Sequence, residues 1–247
     1  IMNKRIDDIE VLRAVAVLLV IVEHLQYSLI TWHSPNIERF FAYFGGWSGV
    51  DLFFAISGFV IARTLIPKLN SVTGIENKLQ VSLYFWIRRF WRLIPSAWLW
   101  LSIILICSIA FNESGAFQSF RANFEGAVAA VLNVANLRLA YTFGESDSGA
   151  SFHYWSLSLE EQFYILLPLL VIISKKRLPY VLAVIIIIQL LLPRTDLIPV
   201  LMRTDALLLG VLIALWSQHS TYKIFEPIFL KNKPWVSLGA LTILTTC

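Results

Sequence analysis

The chain has 247 residues, of which 57% are hydrophobic and 15% are charged, and its formal net charge is +4. Soluble domains are typically about 45–50% apolar and about 25% charged, so this composition excludes an ordinary soluble domain and indicates a protein embedded in a membrane. The basic residues are gathered between apolar runs, a distribution typical of membrane topology and not of nucleic-acid binding. The apolar runs are long and continuous, without the alternation of a membrane β-barrel, and therefore predict helical spans.

The first predicted span, Ile9–Ile30, contains Arg13, Glu23 and His24. A span requires about 20 apolar residues, and an ionisable residue within one costs on the order of 3 kcal/mol, so three such residues indicate a function for this helix. Arg13 and His24 are eleven positions apart, close to three helical turns, which places both on one face, roughly 16 Å apart along the axis. We expect that face either to carry the chemistry or to face a polar cavity.

An outer loop, Thr31–Phe44, separates this helix from a second predicted span, Trp47–Ile66. Asp51 lies near the start of the second span, and Ser57 and Gly58 lie in its middle. Two small residues in succession favour close contact with another helix. Asp51 is either an interfacial cap or part of a polar pocket, and its position alone leaves both interpretations open.

A segment rich in aromatic residues and arginine precedes the third predicted span, Ile94–Phe111, which we expect to open at Pro95. Arg89 and Arg92 are three positions apart, so on a helix they are neighbours on one face, and two guanidinium groups facing one way suit a phosphate or pyrophosphate. The alternative is a cytoplasmic anchor that contacts lipid phosphates.

The segment Phe124–Phe143 is interrupted by polar residues, and we predict that it is re-entrant or interfacial. Without a crossing there, the clusters Arg63–Arg92 and Lys175–Arg177 fall on the same cytoplasmic side as the N-terminus, as the positive-inside rule expects. The sequence therefore predicts an all-α, polytopic transmembrane helical bundle of about seven to eight hydrophobic segments. The later predicted spans are Trp155–Ile173, Tyr180–Leu192, Pro199–Trp216 and a segment that begins at Trp235.

Two carboxylates, Glu160 and Glu161, lie inside the predicted span Trp155–Ile173. We expect them in the outer half of the membrane at the depth of His24, on the opposite side from the arginines. A histidine oriented by a carboxylate is a general-base arrangement, whereas the alternative is a structural ion pair between helices. Arg203 and Asp205 either complete the same pocket or cap a helix at the interface.

Five stretches, taken in order, make the sequence similar to the acyltransferase family 3 membrane proteins, which O-acetylate lipopolysaccharide O-antigen, peptidoglycan, nodulation factors and macrolides. The first is an arginine followed after ten residues by a histidine. The others are VDLFFAISGF, RRFWRLIP, WSLSLEEQFY and RTDALLLG. The five stretches are Arg13–His24, Val50–Phe59, Arg88–Pro95, Trp155–Tyr164 and Arg203–Gly210.

The resemblance implies that a cytoplasmic acyl-CoA, above all acetyl-CoA, gives its acyl group to a hydroxyl of an extracytoplasmic acceptor. It implies that His24 is the general base, with Arg13 as its companion and Glu160 orienting it. Arg89 and Arg92, with the adjacent Arg88, would bind the CoA phosphates. The residues expected in the substrate pocket are Asp51, Glu161, Tyr164, Arg203 and Asp205.

The expected acceptor is an envelope glycan or a lipid-linked sugar, and the expected location is the bacterial cytoplasmic membrane, crossed several times, with the N-terminus in the cytoplasm and lipids as the other partners. Acyl-CoA is a co-substrate, and no bound cofactor, metal or nucleic acid is expected. Members of the family are usually longer, so residues 1–247 are expected to be a single acyltransferase domain lacking its C-terminal helices. The rival interpretation is a proton-coupled transporter that uses His24, Glu160 and Asp205. A covalent acyl-histidine intermediate remains open.

Overall fold

The computed structural model describes residues 7–28, 30, 32, 34–142, 144, 147–192 and 202–225, and every regular element within those ranges is helical. The chain divides into two compact units, one formed by residues 1–62 and 206–247 and the other by residues 63–205. The helices in chain order are α1 (Asp7–Ser28), α2 (Pro35–Tyr43), α3 (Ser48–Ser71), α4 (Ile75–Ala110), α5 (Phe120–Val131), α6 (Ala135–Thr142), α7 (Tyr154–Ser174), a 3₁₀ turn (Lys175–Arg177), α8 (Leu178–Leu191), α9 (Asp205–Trp216) and α10 (Tyr222–Phe225).

Two helical stretches in the described ranges, Pro35–Ser71 and Ile75–Ala110, are long and apolar enough to cross a membrane, and Asp205–Trp216 is a shorter apolar helix. The expectation of seven to eight spans therefore remains a prediction. The segment that begins at Trp235 and the first residues of the predicted span Pro199–Trp216 lie outside the described residues.

In the first unit, α3 and α9 approach each other so closely that each helix presents a glycine at the contact. A Cβ atom at Gly58 would overlap the carbonyl oxygen of Leu207, and one at Gly210 would overlap the carbonyl oxygen of Ala55. Any larger side chain would force the two backbones apart. The predicted close helix contact at Gly58 is confirmed.

In the second unit, two hydrogen bonds join α4 and α7 in an antiparallel arrangement. The Tyr154 hydroxyl donates to the carbonyl of Ala97 over 2.9 Å, and the indole Nε1 of Trp86 donates to the carbonyl of Tyr164 over 3.0 Å. In two antiparallel helices, residue numbers increase along one helix as they decrease along the other. The bonded pairs 154 with 97 and 164 with 86 both have numbers that sum to about 250, so other pairs with this sum also lie at the same level. Arg89 is therefore level with Glu161.

The predicted opening of the third span at Pro95 is wrong, because α4 is a single helix of 36 residues with Pro95 inside it. The sequence from Ile75 to Ile94 contains no glycine or proline, so nothing breaks the helix before Pro95. Proline within a helix removes one backbone hydrogen bond, but α4 continues through Pro95 as far as Ala110.

The segment Phe124–Phe143 falls on two helices, α5 of 12 residues and α6 of 8 residues. Between them Asn133 adopts a left-handed conformation with φ of 55°, which ends α5 and turns the chain. A crossing helix needs about 20 residues, so neither helix is long enough to span by itself. These lengths agree with the prediction that the segment does not cross, which remains a prediction.

A cluster of amide side chains fixes this turn to α7. Gln162 Nε2 donates to the carbonyl of Asn133 over 2.7 Å and to Oδ1 of Asn136 over 2.9 Å, and Gln162 Oε1 accepts from Asn136 Nδ2 over 3.3 Å. Asn136 is fully buried. The turn after α5 is thereby held beside Glu161, the neighbour of Gln162 in the sequence.

Candidate functional site

A cavity of about 340 Å³ lies between α4, α7 and the turn that follows α5, entirely within the second unit. Its walls are largely aromatic and aliphatic, and four polar residues face it. The polar residues are Arg89, Asn133, Glu161 and Tyr164, and the aromatic wall is formed by Trp86, Phe90, Trp91 and Trp98. Apolar pockets with a few convergent polar groups are typical of ligand sites.

Arg89 is the arginine that the fold brings to this cavity. Its Cζ atom lies 5.1 Å from the ring centroid of Tyr164 and 5.7 Å from that of Phe85, both within cation–π range. Arg89 also interacts electrostatically with Glu160, Glu161 and Arg92. The two rings hold the guanidinium group in place at the edge of the cavity, where a positive charge suits the recognition of an anion.

Glu161 supplies a buried carboxyl group to the same cavity. The residue is 8% exposed, and its Oε1 atom has no hydrogen-bond partner among the described residues. A buried polar atom without a partner is costly, and such atoms in proteins mark strain, catalysis or a ligand position. A ligand that donates a hydrogen bond in this cavity would satisfy Glu161.

Tyr164 is held in position by a hydrogen bond that its own helix cannot make. Pro168, four residues further along α7, has no N–H group to donate to the Tyr164 carbonyl. Trp86 of α4 provides a donor from outside the helix. The proline and the tryptophan together fix the distance between α4 and α7 at the cavity.

Glu160 is 6% exposed and lies on α7 beside Glu161. The expectation that these carboxylates lie on the opposite side from the arginines is wrong, because the antiparallel pairing of α4 and α7 brings Glu161 level with Arg89. Glu160 belongs to the second unit and His24 to the first. The pairing of His24 with Glu160 therefore remains a prediction.

His24 and Arg13 both lie on α1, which is continuous between them. Nδ1 of His24 lies 2.7 Å from the carbonyl oxygen of Val20, and a carbonyl can only accept, so Nδ1 carries the ring proton. In the neutral ring the lone pair is then on Nε2, the form required of a general base. Arg13 pairs with Glu10 one turn earlier, at 3.3 Å.

The other predicted site residues are not part of the lining of this cavity. Arg88 and Arg92 are exposed on α4. Arg203 and Asp205 face each other at 3.3 Å, both largely buried, and Asp51 lies in the first turn of α3. None of these five residues lines the cavity.

Of the lining residues, the sequence predicted only Arg89, Glu161 and Tyr164 as site residues, and Trp86 and Asn133 are among those it did not assign to the site. Trp86 was one of several aromatic residues near a predicted membrane surface, and Asn133 was one of several polar interruptions. The sequence signal that could have identified Trp86 is Pro168. Because Pro168 has no N–H group, the Tyr164 carbonyl needs a donor from outside its helix, and Trp86 supplies it.

Comparison with known proteins identifies the family. Residues 6–197 match the family described as Acyltransferase domain, of the acyltransferase 3 type. The chain is 31% identical over 179 residues to the peptidoglycan O-acetyltransferase OatA of Listeria monocytogenes, which covers 70% of this chain and 25% of that protein. It is 34% identical over 166 residues to the O-acetyltransferase OatA of Staphylococcus aureus, covering 65% of this chain and 24% of that protein.

The chain thus spans about a quarter of the length of these relatives. No solved structure matches it. The family match covers well over half of the chain and includes Arg13, His24, Arg89 and Glu160. The chain belongs to the acyltransferase 3 domain family.

Proposed function

We propose that this chain is the membrane-embedded part of an O-acyltransferase that moves an acetyl group from acetyl-CoA to a hydroxyl of a cell-envelope glycan, with peptidoglycan as the first candidate. The observation that carries the proposal is the cavity in which Arg89, Glu161 and Tyr164 face an aromatic wall. Membership of the family supports acyl transfer, and the names of the relatives support acetyl as the group and peptidoglycan as the acceptor.

The donor is assigned to α4 and the cavity beside it. Arg89 and its neighbour Arg92 bind the CoA phosphates, with Arg88 adding positive charge. Arginine suits this role because its planar guanidinium group binds phosphate oxygens in pairs. The pantetheine arm, which is flexible and carries amide N–H groups, enters the cavity, where Glu161 Oε1 accepts a hydrogen bond.

The transfer itself is assigned to His24. Its Nε2 atom takes the proton of the acceptor hydroxyl while that oxygen attacks the thioester carbonyl. An ester C–O bond forms, the C–S bond breaks, and CoA leaves as a thiolate that takes up a proton. Glu160 orients His24, and Arg13 is its companion on the same helix, about 16 Å away along the axis. Asp51, Arg203 and Asp205 are assigned to the acceptor side.

The membrane is the cytoplasmic membrane, which the chain crosses several times with its N-terminus inside. This arrangement brings acyl-CoA to one face and the envelope glycan to the other. Two apolar helical stretches of sufficient length support it.

The test measures transfer of radiolabelled acetate to peptidoglycan in membranes that contain the chain, with acetyl-CoA or an alternative acetyl donor supplied. His24→Ala is expected to abolish transfer while acetyl-CoA still binds. Arg89→Ala is expected to raise the KM for acetyl-CoA. Arg63→Ala removes an exposed arginine of α3 outside the cavity and is the matched control.

Transfer that persists in His24→Ala refutes the role of the histidine. Equal KM values in Arg89→Ala and Arg63→Ala refute the donor site. Transfer from another acetyl donor, with none from acetyl-CoA, refutes the assignment of the donor.

A further inference from the structure

The turn between α7 and α8 carries three consecutive cations, Lys175, Lys176 and Arg177, and all three are exposed. The sequence has no acidic residue between Glu161 and Asp196, so no carboxylate is near them along the chain. None of the three forms an ion pair with any residue that the structure describes. Within the part of the chain that the structure describes, the positive charge of this turn is therefore not balanced by a carboxylate.

A shallow apolar groove of about 500 Å³ begins at this turn and follows α8. It is lined by Arg177, Tyr180, Val181, Val184 and Ile185. The spacings from Arg177 are three, four, seven and eight residues, so all five lie on one face of the helix. At about 1.5 Å per residue the groove extends roughly 12 Å from its charged end.

The groove is asymmetric in a way that indicates its occupant. Its only charged lining residue, Arg177, stands at one end, Tyr180 follows, and the remaining lining is aliphatic. Tyr180 and Val184 are 75% and 55% exposed. Tyrosine favours the boundary between lipid headgroups and acyl chains, so its place between the cation and the valines matches the order of groups in a phospholipid.

We propose that this groove binds an anionic phospholipid, with the phosphate at Arg177 and Lys176 and one acyl chain along Val181, Val184 and Ile185. Arginine binds phosphate oxygens through paired, charge-assisted hydrogen bonds. A zwitterionic lipid has the same phosphate but also a cationic headgroup, which would meet three like charges here. The site is therefore selective for lipids with net negative charge.

This inference rests on the membrane insertion that is part of the proposed function, but it needs neither acyl donor nor acceptor. Extraction of membranes with alkaline carbonate tests insertion separately. A chain that stays in the membrane but shows no lipid preference contradicts the lipid site alone, whereas a chain released by carbonate contradicts the proposed function.

The test is native mass spectrometry of the 247-residue chain in detergent micelles, with phosphatidylglycerol and phosphatidylcholine added at equal concentration. We expect phosphatidylglycerol to be retained preferentially. Arg177→Gln is expected to weaken its binding about tenfold, as the loss of a paired charge-assisted contact predicts. Val184→Trp fills the groove without altering the cations and is expected to weaken binding to a similar extent.

Two control variants match these changes. Arg63→Gln removes an exposed arginine elsewhere, and Leu190→Trp adds the same bulk to α8 at an exposed position outside the groove. Both are expected to retain the preference for phosphatidylglycerol. Equal retention of the two lipids, or equal losses in Val184→Trp and Leu190→Trp, would overturn the proposal.

Discussion

The hydrogen bond from Trp86 to the Tyr164 carbonyl can be tested by replacing Pro168 with a residue that has a backbone N–H group, which can donate to the same carbonyl. Trp86→Phe keeps an aromatic ring but deletes the indole N–H group, so the carbonyl loses a bond of 3.0 Å. Removing a donor from a buried acceptor costs about 1–3 kcal/mol. In Pro168→Ala, residue 168 regains an N–H group that reaches the Tyr164 carbonyl from within the helix.

The expected result is a coupling between the two substitutions. Trp86→Phe is expected to cost about 1–3 kcal/mol of unfolding free energy in the native background, and at least about 1 kcal/mol less in the Pro168→Ala background. The two backgrounds are compared in an unfolding titration in detergent micelles. A double-mutant cycle is required because Pro168 is fully buried and its replacement has a packing cost of its own.

Trp98→Phe is the matched control, since Trp98 lies on the same helix and lines the same cavity without an indole hydrogen bond to any described residue. Its cost is expected to be the same in both backgrounds. If Trp86→Phe also costs the same in both, within the roughly 0.3–0.5 kcal/mol of ordinary additivity, the proline does not create the need for the tryptophan.

Three further predictions concern packing, hydrogen bonding and charge. Gly58→Ala is expected to lower the free energy of unfolding by about 1–3 kcal/mol because its Cβ atom overlaps the backbone of α9. Leu209→Ala, at a more exposed position of α9, is expected to lower it by less. Equal losses of stability in thermal unfolding would contradict the close contact. Gln162→Leu is expected to cost about 1–3 kcal/mol and to raise amide exchange at the turn after α5, and unchanged exchange would refute its anchoring role. Burial opposes ionisation of Asp147, but hydrogen bonds from the backbone of Ser119 and Gly149 outweigh it and lower the pKa below the usual 3.8. The stabilising effect of Asp147 is thus complete above about pH 4 and is lost as the pH falls through the lowered pKa, so amide exchange at Ser119 should rise there in the native chain and not in Asp147→Asn.

Local patterns were sufficient for features that belong to one helix. Arg13 and His24 share α1 with the predicted spacing because helix geometry depends only on residues close in sequence. The same holds for Arg89 and Arg92 on α4. Ser57 and Gly58 predict a contact point because two small residues in succession permit close approach of another helix, and the contact of Gly58 with α9 confirms it.

Local patterns gave wrong predictions for features that depend on long helices and on contacts between helices. Pro95 was expected to open a helix, but the uninterrupted residues before it continue α4. Glu161 was expected on the opposite side from the arginines, because its depth was estimated by counting along a span. The hydrogen bonds between α4 and α7 instead place it level with Arg89.

By itself the sequence determined that this protein is helical and apolar, that its ionisable residues occupy particular helix faces, and that its motifs are those of an acyltransferase family. Only the tertiary structure decided which faces meet, and so brought Arg89, Glu161 and Tyr164 to one cavity. The physical reason is that side-chain direction follows from backbone geometry within a few residues, whereas the pairing of helices depends on donors, acceptors and volumes far apart in the chain. Pro168 and Trp86 illustrate this, since neither residue reveals its role until α4 and α7 are side by side.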